Sequence, residues 1–155
     1  MLSARLIKTI EDHAEQLTRG LIDDLLSNHR TTHYHHLTRE ELHHRIYDVY
    51  RNFGRWLSDE TESAIEASYT HLGKKRLAEG IPLNEIVYSL GLIKNHLLEY
   101  IQFSGMADSA VEVHGDRELH RLAGRFFDKA VYYTVAGYEH AAVWQHPSTS
   151  ARSAA

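Results

Sequence analysis

Apolar residues recur at three-and-four spacing along most of the chain, and no stretch alternates apolar with polar residues as a half-buried strand would. Leu6, Ile7, Ile10, Ala14, Leu17, Leu21 and Leu25 trace one such stripe, which implies a long helix capped by Ser3 and running to about Asn28. Positions 29–38 are polar and without period, so they read as a loop. Thr38-Arg39-Glu40-Glu41 then offers a capping box, in which the Thr38 hydroxyl and the Glu41 carboxylate each take one orphan N–H. It opens a second helix carrying Leu42, Ile46, Val49, Phe53, Trp56 and Leu57, after which Ser58 or Asp59 can cap a third. The third helix has Ala64, Ile65, Ser68, Leu72 and Arg76 on a partly polar inner face. The fourth has an unbroken stripe, Ile86, Leu90, Ile93, Leu97 and Ile101, ending at Gly105. Leu119, Leu122, Phe126, Ala130, Val131, Thr134, Tyr138 and Ala141 mark a long last helix that Pro147 stops.

The sharpest local signal lies between the third and fourth helices, at Glu79-Gly80-Ile81-Pro82. Gly80 suits the left-handed position that ends a helix, and Pro82 suits the first position of the next. The expectation is one all-α domain of about five helices over residues 1–145, packed as a helical bundle or in a globin-like way, followed by a tail or linker at 146–155.

A chain of 155 residues can bury one core, about 70% of the surface its unfolded form exposes. The net charge of −4, with both signs mixed along the sequence, provides no basic stripe for nucleic acid. Without cysteine there is no disulfide, thiolate catalysis or cysteine-held metal. The N-terminal stretch carries acidic residues where a signal peptide needs an apolar run. No later stretch reaches the roughly 18 apolar residues of a membrane span. A cytoplasmic protein that binds neither nucleic acid nor membrane is expected.

Histidine is the one excess: protonating all 13 would take the formal charge from −4 to +9. His29, His33, His35 and His36, with His43 and His44 following, are the candidates for a divalent transition metal such as zinc, copper or nickel. Their spacing also allows an acid-sensing loop in which charged imidazoles repel. Glu40 and His43, and Glu41 and His44, share the Glu-x-x-His spacing of di-iron bundles, but only one helix has it where two are needed. His71 and His96 flank the corner and are the candidates for haem ligation. With Arg76, Tyr69 and Trp56 they outline a candidate ligand pocket there. Gly124 and Gly137 would each weaken an isolated helix by about 1 kcal/mol. Close approach of another backbone explains such glycines, so Gly124, Gly137, Phe127 and Tyr138 are the candidate dimer or partner surface. No Gly-x-Ser-x-Gly motif or glycine-rich phosphate loop appears, and no enzyme is expected.

The run LGKKRLAEGIPLNEIVYSL, preceded by YTH and followed by GLIKNHLLEYI, resembles the N-terminal regulatory domain of RsbR-type proteins, co-antagonists of the RsbT kinase in bacterial stress signalling. HHLTREEL and the helix ending in Trp56 are similar to the same domain, and the likeness extends to about Ala141. The resemblance implies kinship with non-haem globins and, more distantly, with globin-coupled sensors. In the haem-binding sensors a histidine ligand precedes a Gly-hydrophobic-Pro corner. Setting Gly80-Ile81-Pro82 on that corner places Arg76 at the ligand position, and a one-turn shift places His71 there. An arginine cation cannot replace a neutral imidazole on iron. Such regulators usually carry a C-terminal phosphorylatable domain, for which this chain has no room, so it reads as a stand-alone module or a piece of a longer regulator. The resemblance implies a non-enzymatic signalling domain without cofactor, forming a homodimer and contacting other regulatory proteins or a downstream domain. The alternative is a haem- or metal-binding helical sensor using His71, His96 or the His29–His44 cluster.

Overall fold

The first apolar stripe forms two helices rather than one. In the computed structural model, which describes residues 2–58, 62–104 and 110–145, α1 (Leu2–Asp12) and α2 (Ala14–Ser27) meet at His13. The His13 ring donates from Nδ1 to the Thr9 carbonyl at 2.8 Å, the same oxygen that accepts the His13 backbone N–H at 3.1 Å. A side chain inserted into the ladder in this way is a recognised cause of a helix break. Ser3 lies inside α1 and not ahead of it. The stripe still faces inward on both helices, with Ile10, Ala14, Leu17, Leu21 and Leu25 buried.

The polar stretch 29–38 contains a 3-10 turn, Thr32–His36, which buries Tyr34. The capping box forms as expected: Thr38 Oγ1 accepts the Glu41 N–H at 3.2 Å, and Glu41 Oε2 accepts the Thr38 N–H at 2.7 Å. It starts α3 (Arg39–Arg51). The expected second helix also breaks, at Asn52, and resumes as the short α4 (Phe53–Trp56). The break turns the Gly54 N–H toward Glu11 of α1, whose Oε1 accepts it at 3.0 Å.

Next come α5 (Glu62–Ala78), α6 (Leu83–Ser104) and α7 (Ala110–Gln145). The described residues are therefore all-α, with seven helices where about five were expected; the two breaks account for the difference. Pro82 stands one position ahead of α6, its carbonyl accepting the Glu85 and Ile86 N–H groups, which makes it a cap and not the first helical residue. The expected stops at Gly105 and Pro147, the Asp59 cap and the tail 146–155 lie outside the described residues.

The closest helix pair is α5 with α7. A Cβ on Gly73 of α5 would fall on the Thr134 carbonyl oxygen, and one on Gly137 of α7 would fall on that of Thr70. The two glycines thus let the backbones touch. Gly137 has the close neighbour expected of it, supplied by α5 of the same chain. Gly124 does not: a Cβ there would meet nothing within 4 Å. Beside this crossing Trp56, Tyr69, Phe126 and Phe127 pack edge to face in succession, with centroids 5.1–6.1 Å apart. Tyr50, Phe53, Leu97 and Leu119 are among the fully buried side chains.

Candidate functional site

The corner after α5 is a Schellman turn. The Ile81 N–H donates to the Arg76 carbonyl and the Gly80 N–H to the Leu77 carbonyl, each at 3.0 Å, with Gly80 at φ +75°. This closure places Arg76 on the last inward turn of α5. Its side chain is only 6% exposed, pairs through NH1 with Glu79 Oε2 at 2.7 Å, and lies 5.4 Å over the Tyr34 ring. Tyr34 donates to Ser89 Oγ at 2.9 Å, and Ser89 donates to the Ile86 carbonyl at 2.7 Å. Burial raises the Tyr34 phenol above its ordinary value although the Arg76 charge favours the phenolate.

A second arginine packs onto the same helix from α3. Arg45 reaches from α3 to α5, where NH2 donates to the Ser68 carbonyl at 2.8 Å and its guanidinium lies 5.1 Å over the Tyr69 ring. Tyr69 meets Trp56 and Phe126 edge-on, at 6.1 and 5.8 Å. Three residues of the expected pocket, Arg76, Tyr69 and Trp56, therefore lie along this largely buried region. Burial and the neighbouring Arg76 charge both work against the Arg45 cation, lowering its pKa.

Glu85 holds the other side of the 3-10 turn. It is buried, and it accepts from Thr32 Oγ1 at 3.2 Å, from the His33 N–H at 3.0 Å and from His33 Nδ1 at 2.7 Å. Burial pushes its carboxyl up, but the His33 and Thr32 hydrogen bonds outweigh burial and hold it below the ordinary range.

The histidines are dispersed. His71 is exposed on the outside of α5, in a surface depression of about 430 Å³ shared with Glu66, Thr70 and Lys74. His96 of α6 binds Asp24 of α2 at 2.9 Å. His35 Nε2 lies 3.2 Å from the Asn28 carbonyl, and His29 and His36 are exposed. Among the described residues no three histidine or carboxylate side chains are arranged to hold a metal ion, so His29, His33, His35 and His36 do not assemble the expected site. Two of the histidines considered for acid sensing face carboxylates: His33 faces Glu85 and His43 faces Glu15, each at 2.7 Å.

Of the candidate partner residues, Phe127 is buried against Phe126 and Gly137 is covered by α5. Gly124 and Tyr138 are half-buried. The sequence pattern does not single out Arg45, Glu85 or Ser89, and Tyr34 falls among the histidines of a polar loop. Each left a faint trace: Arg45 is three residues after Leu42 and four before Val49, Ser89 is three after Ile86, and Tyr34 is the one aromatic in a polar stretch.

No family model, curated protein or solved structure matches this chain significantly. Its class as the fold defines it is an all-α domain, and among the described residues no helix is long and apolar enough to cross a membrane.

Proposed function

We propose that the chain is a non-enzymatic, globin-like signalling domain of the RsbR type, working in the cytoplasm by pairing with a second copy and contacting regulatory proteins or a downstream domain. The observation that carries this reading is the set of large apolar side chains that α7 leaves in water. Tyr132, Val143 and Trp144 are 68%, 69% and 74% exposed, and exposed apolar groups of this size on one element are a mark of association surfaces. The corner supports the same reading: an arginine, and not an imidazole, points inward one turn before Gly80, and a guanidinium does not ligate iron.

Light scattering across a concentration series tests it. The expected result is a dimer that falls to monomer in the Val143→Glu, Trp144→Glu double variant with helicity unchanged. A wild-type protein that stays strictly monomeric at the highest concentration reached would overturn the reading.

A further inference from the structure

The outer face of α7 is laid out symmetrically about Tyr132. Arg125, Asp128, Tyr132, Ala136, Glu139 and Val143 are all exposed, and at 3.6 residues per turn they lie within about 40° of Tyr132 around the helix axis. Arg125 stands seven residues before Tyr132 and Glu139 seven after it; Asp128 stands four before and Ala136 four after. Tyr132 itself is 68% exposed. Its ring meets Tyr133 edge-on, with centroids 5.2 Å apart, and the Tyr133 hydroxyl donates to Glu62 of α5 at 2.9 Å. The neighbour that braces the ring is thus anchored to another helix, and an aromatic side chain held in place beforehand loses less entropy when a partner covers it.

The charges on this strip are uncommitted. Among the described residues Arg125, Asp128 and Glu139 enter no ion pair, whereas Arg121 pairs with Glu118, and Lys129 with Glu62. A two-fold axis at right angles to α7 through Tyr132 sets each residue opposite the one equally far beyond Tyr132 in a second copy. Arg125 then faces Glu139 of the second copy and Glu139 faces its Arg125, about 10 Å to either side of the axis. Asp128 falls opposite the uncharged Ala136, and Val143 against the aliphatic stem of Arg121. A parallel pair in register would instead set Arg125, Asp128 and Glu139 each against its own copy, and like charges brought together disfavour that arrangement.

We infer that two copies of the chain pair antiparallel through the outer face of α7, with Tyr132 on the two-fold axis and Arg125 of each copy against Glu139 of the other. The inference rests on the pairing proposed above and adds its direction and register. Exposed ion pairs add little affinity but act against wrong alignments, so Tyr132 and Val143 supply the apolar contact and the charges choose the direction. A strip of about 27 Å by a helix width of about 10 Å is smaller than a standard permanent interface, and the dimer it forms is a reversible one. The antiparallel direction carries the two Gln145 ends of α7 about 40 Å apart, so anything joined to them is held at opposite ends of the dimer.

Sedimentation equilibrium of the whole chain at low salt tests it, comparing wild type with Arg125→Glu, with Glu139→Arg and with both reversals in one chain, while circular dichroism checks that helicity is unchanged. Each single reversal is expected to weaken the dimer about tenfold or more, because both symmetric contacts become like-charged. The doubly reversed chain, which again has opposite charges across the axis, recovers the wild-type affinity. Since the chain has no cysteine, introduced thiols report the register directly: Arg125→Cys mixed with Glu139→Cys forms an intermolecular disulfide on mild oxidation, and neither variant does so alone. A wild-type dimer in which the double reversal stays as weak as the single ones, or in which Glu139→Cys crosslinks more readily alone than in the mixture, would overturn the antiparallel register and leave the dimeric reading standing. A strictly monomeric wild-type protein would overturn both.

Discussion

Gly73 in α5 and Gly124 in α7 both sit in the middle of long helices, where alanine is intrinsically favoured by about 1 kcal/mol. Their surroundings give the same substitution opposite signs. At Gly73 the new methyl lands on the Thr134 backbone, and at Gly137 on that of Thr70; at Gly124 it meets open space. Gly73→Ala and Gly137→Ala are expected to destabilise by about 1–3 kcal/mol through overpacking, whereas Gly124→Ala stabilises by about 0.5–1 kcal/mol. Gly80→Ala belongs to a third kind, since no atom obstructs the methyl but φ is +75°, and the left-handed strain costs about 1–2 kcal/mol. Urea midpoints of the four variants check the set, and a common sign for Gly73→Ala and Gly124→Ala would contradict the packing described. Of these glycines only Gly80 was fully legible, because its reason is local. Gly73 and Gly137 owe theirs to a helix some sixty residues away in sequence.

At the scale of elements, short-range chemistry decides where helices begin, and tertiary contacts decide where they break. The capping box that starts α3 was readable from four residues, and Thr38→Ala is expected to lower stability by about 1 kcal/mol, read as a shift of the thermal midpoint with no change in quaternary structure. The breaks at His13 and Asn52 were not readable, since the apolar stripes run through both without interruption. At His13 the imidazole takes the Thr9 carbonyl, and its ring lies against Tyr100 of α6, with centroids 5.9 Å apart. After Asn52 the chain turns so that Glu11 can cap α4. The weak stripe of α5 has a related cause: it buries Tyr69, Gly73 and Arg76, none of which counts as aliphatic in a periodicity search.

Across the whole molecule, histidine–carboxylate pairs tie separate elements together: His33 with Glu85, His43 with Glu15 and His96 with Asp24. The hydrogen bonds of these pairs hold the three carboxyls below their ordinary values, against the burial that opposes them. A carboxyl depressed on folding contributes stability above its unfolded pKa, and that contribution is lost as pH falls through the folded value. Stability is therefore expected to hold at neutral pH and to drop as pH falls below about 4. Glu85→Gln isolates one pair. It costs about 1–3 kcal/mol at pH 7, and the deficit shrinks toward pH 3 as the wild-type carboxyl protonates. Denaturant titrations of both proteins across this range measure it, and a deficit independent of pH would show that charge plays no part.

The sequence alone determined the helical class, the α3 cap and the α5–α6 corner, because apolar period, capping residues and a left-handed glycine act within a few residues of themselves. It also placed Arg76 on the inner side of α5. Only the tertiary structure decided what Arg76 meets. Tyr34 arrives from the 3-10 turn to lie against its guanidinium. The same holds for three of the histidines, His33, His43 and His96, whose partners are carboxylates on other helices. A side chain's type is written in the chain, but its electrostatic partner is whatever the packing of distant elements brings within 3 Å or so of it.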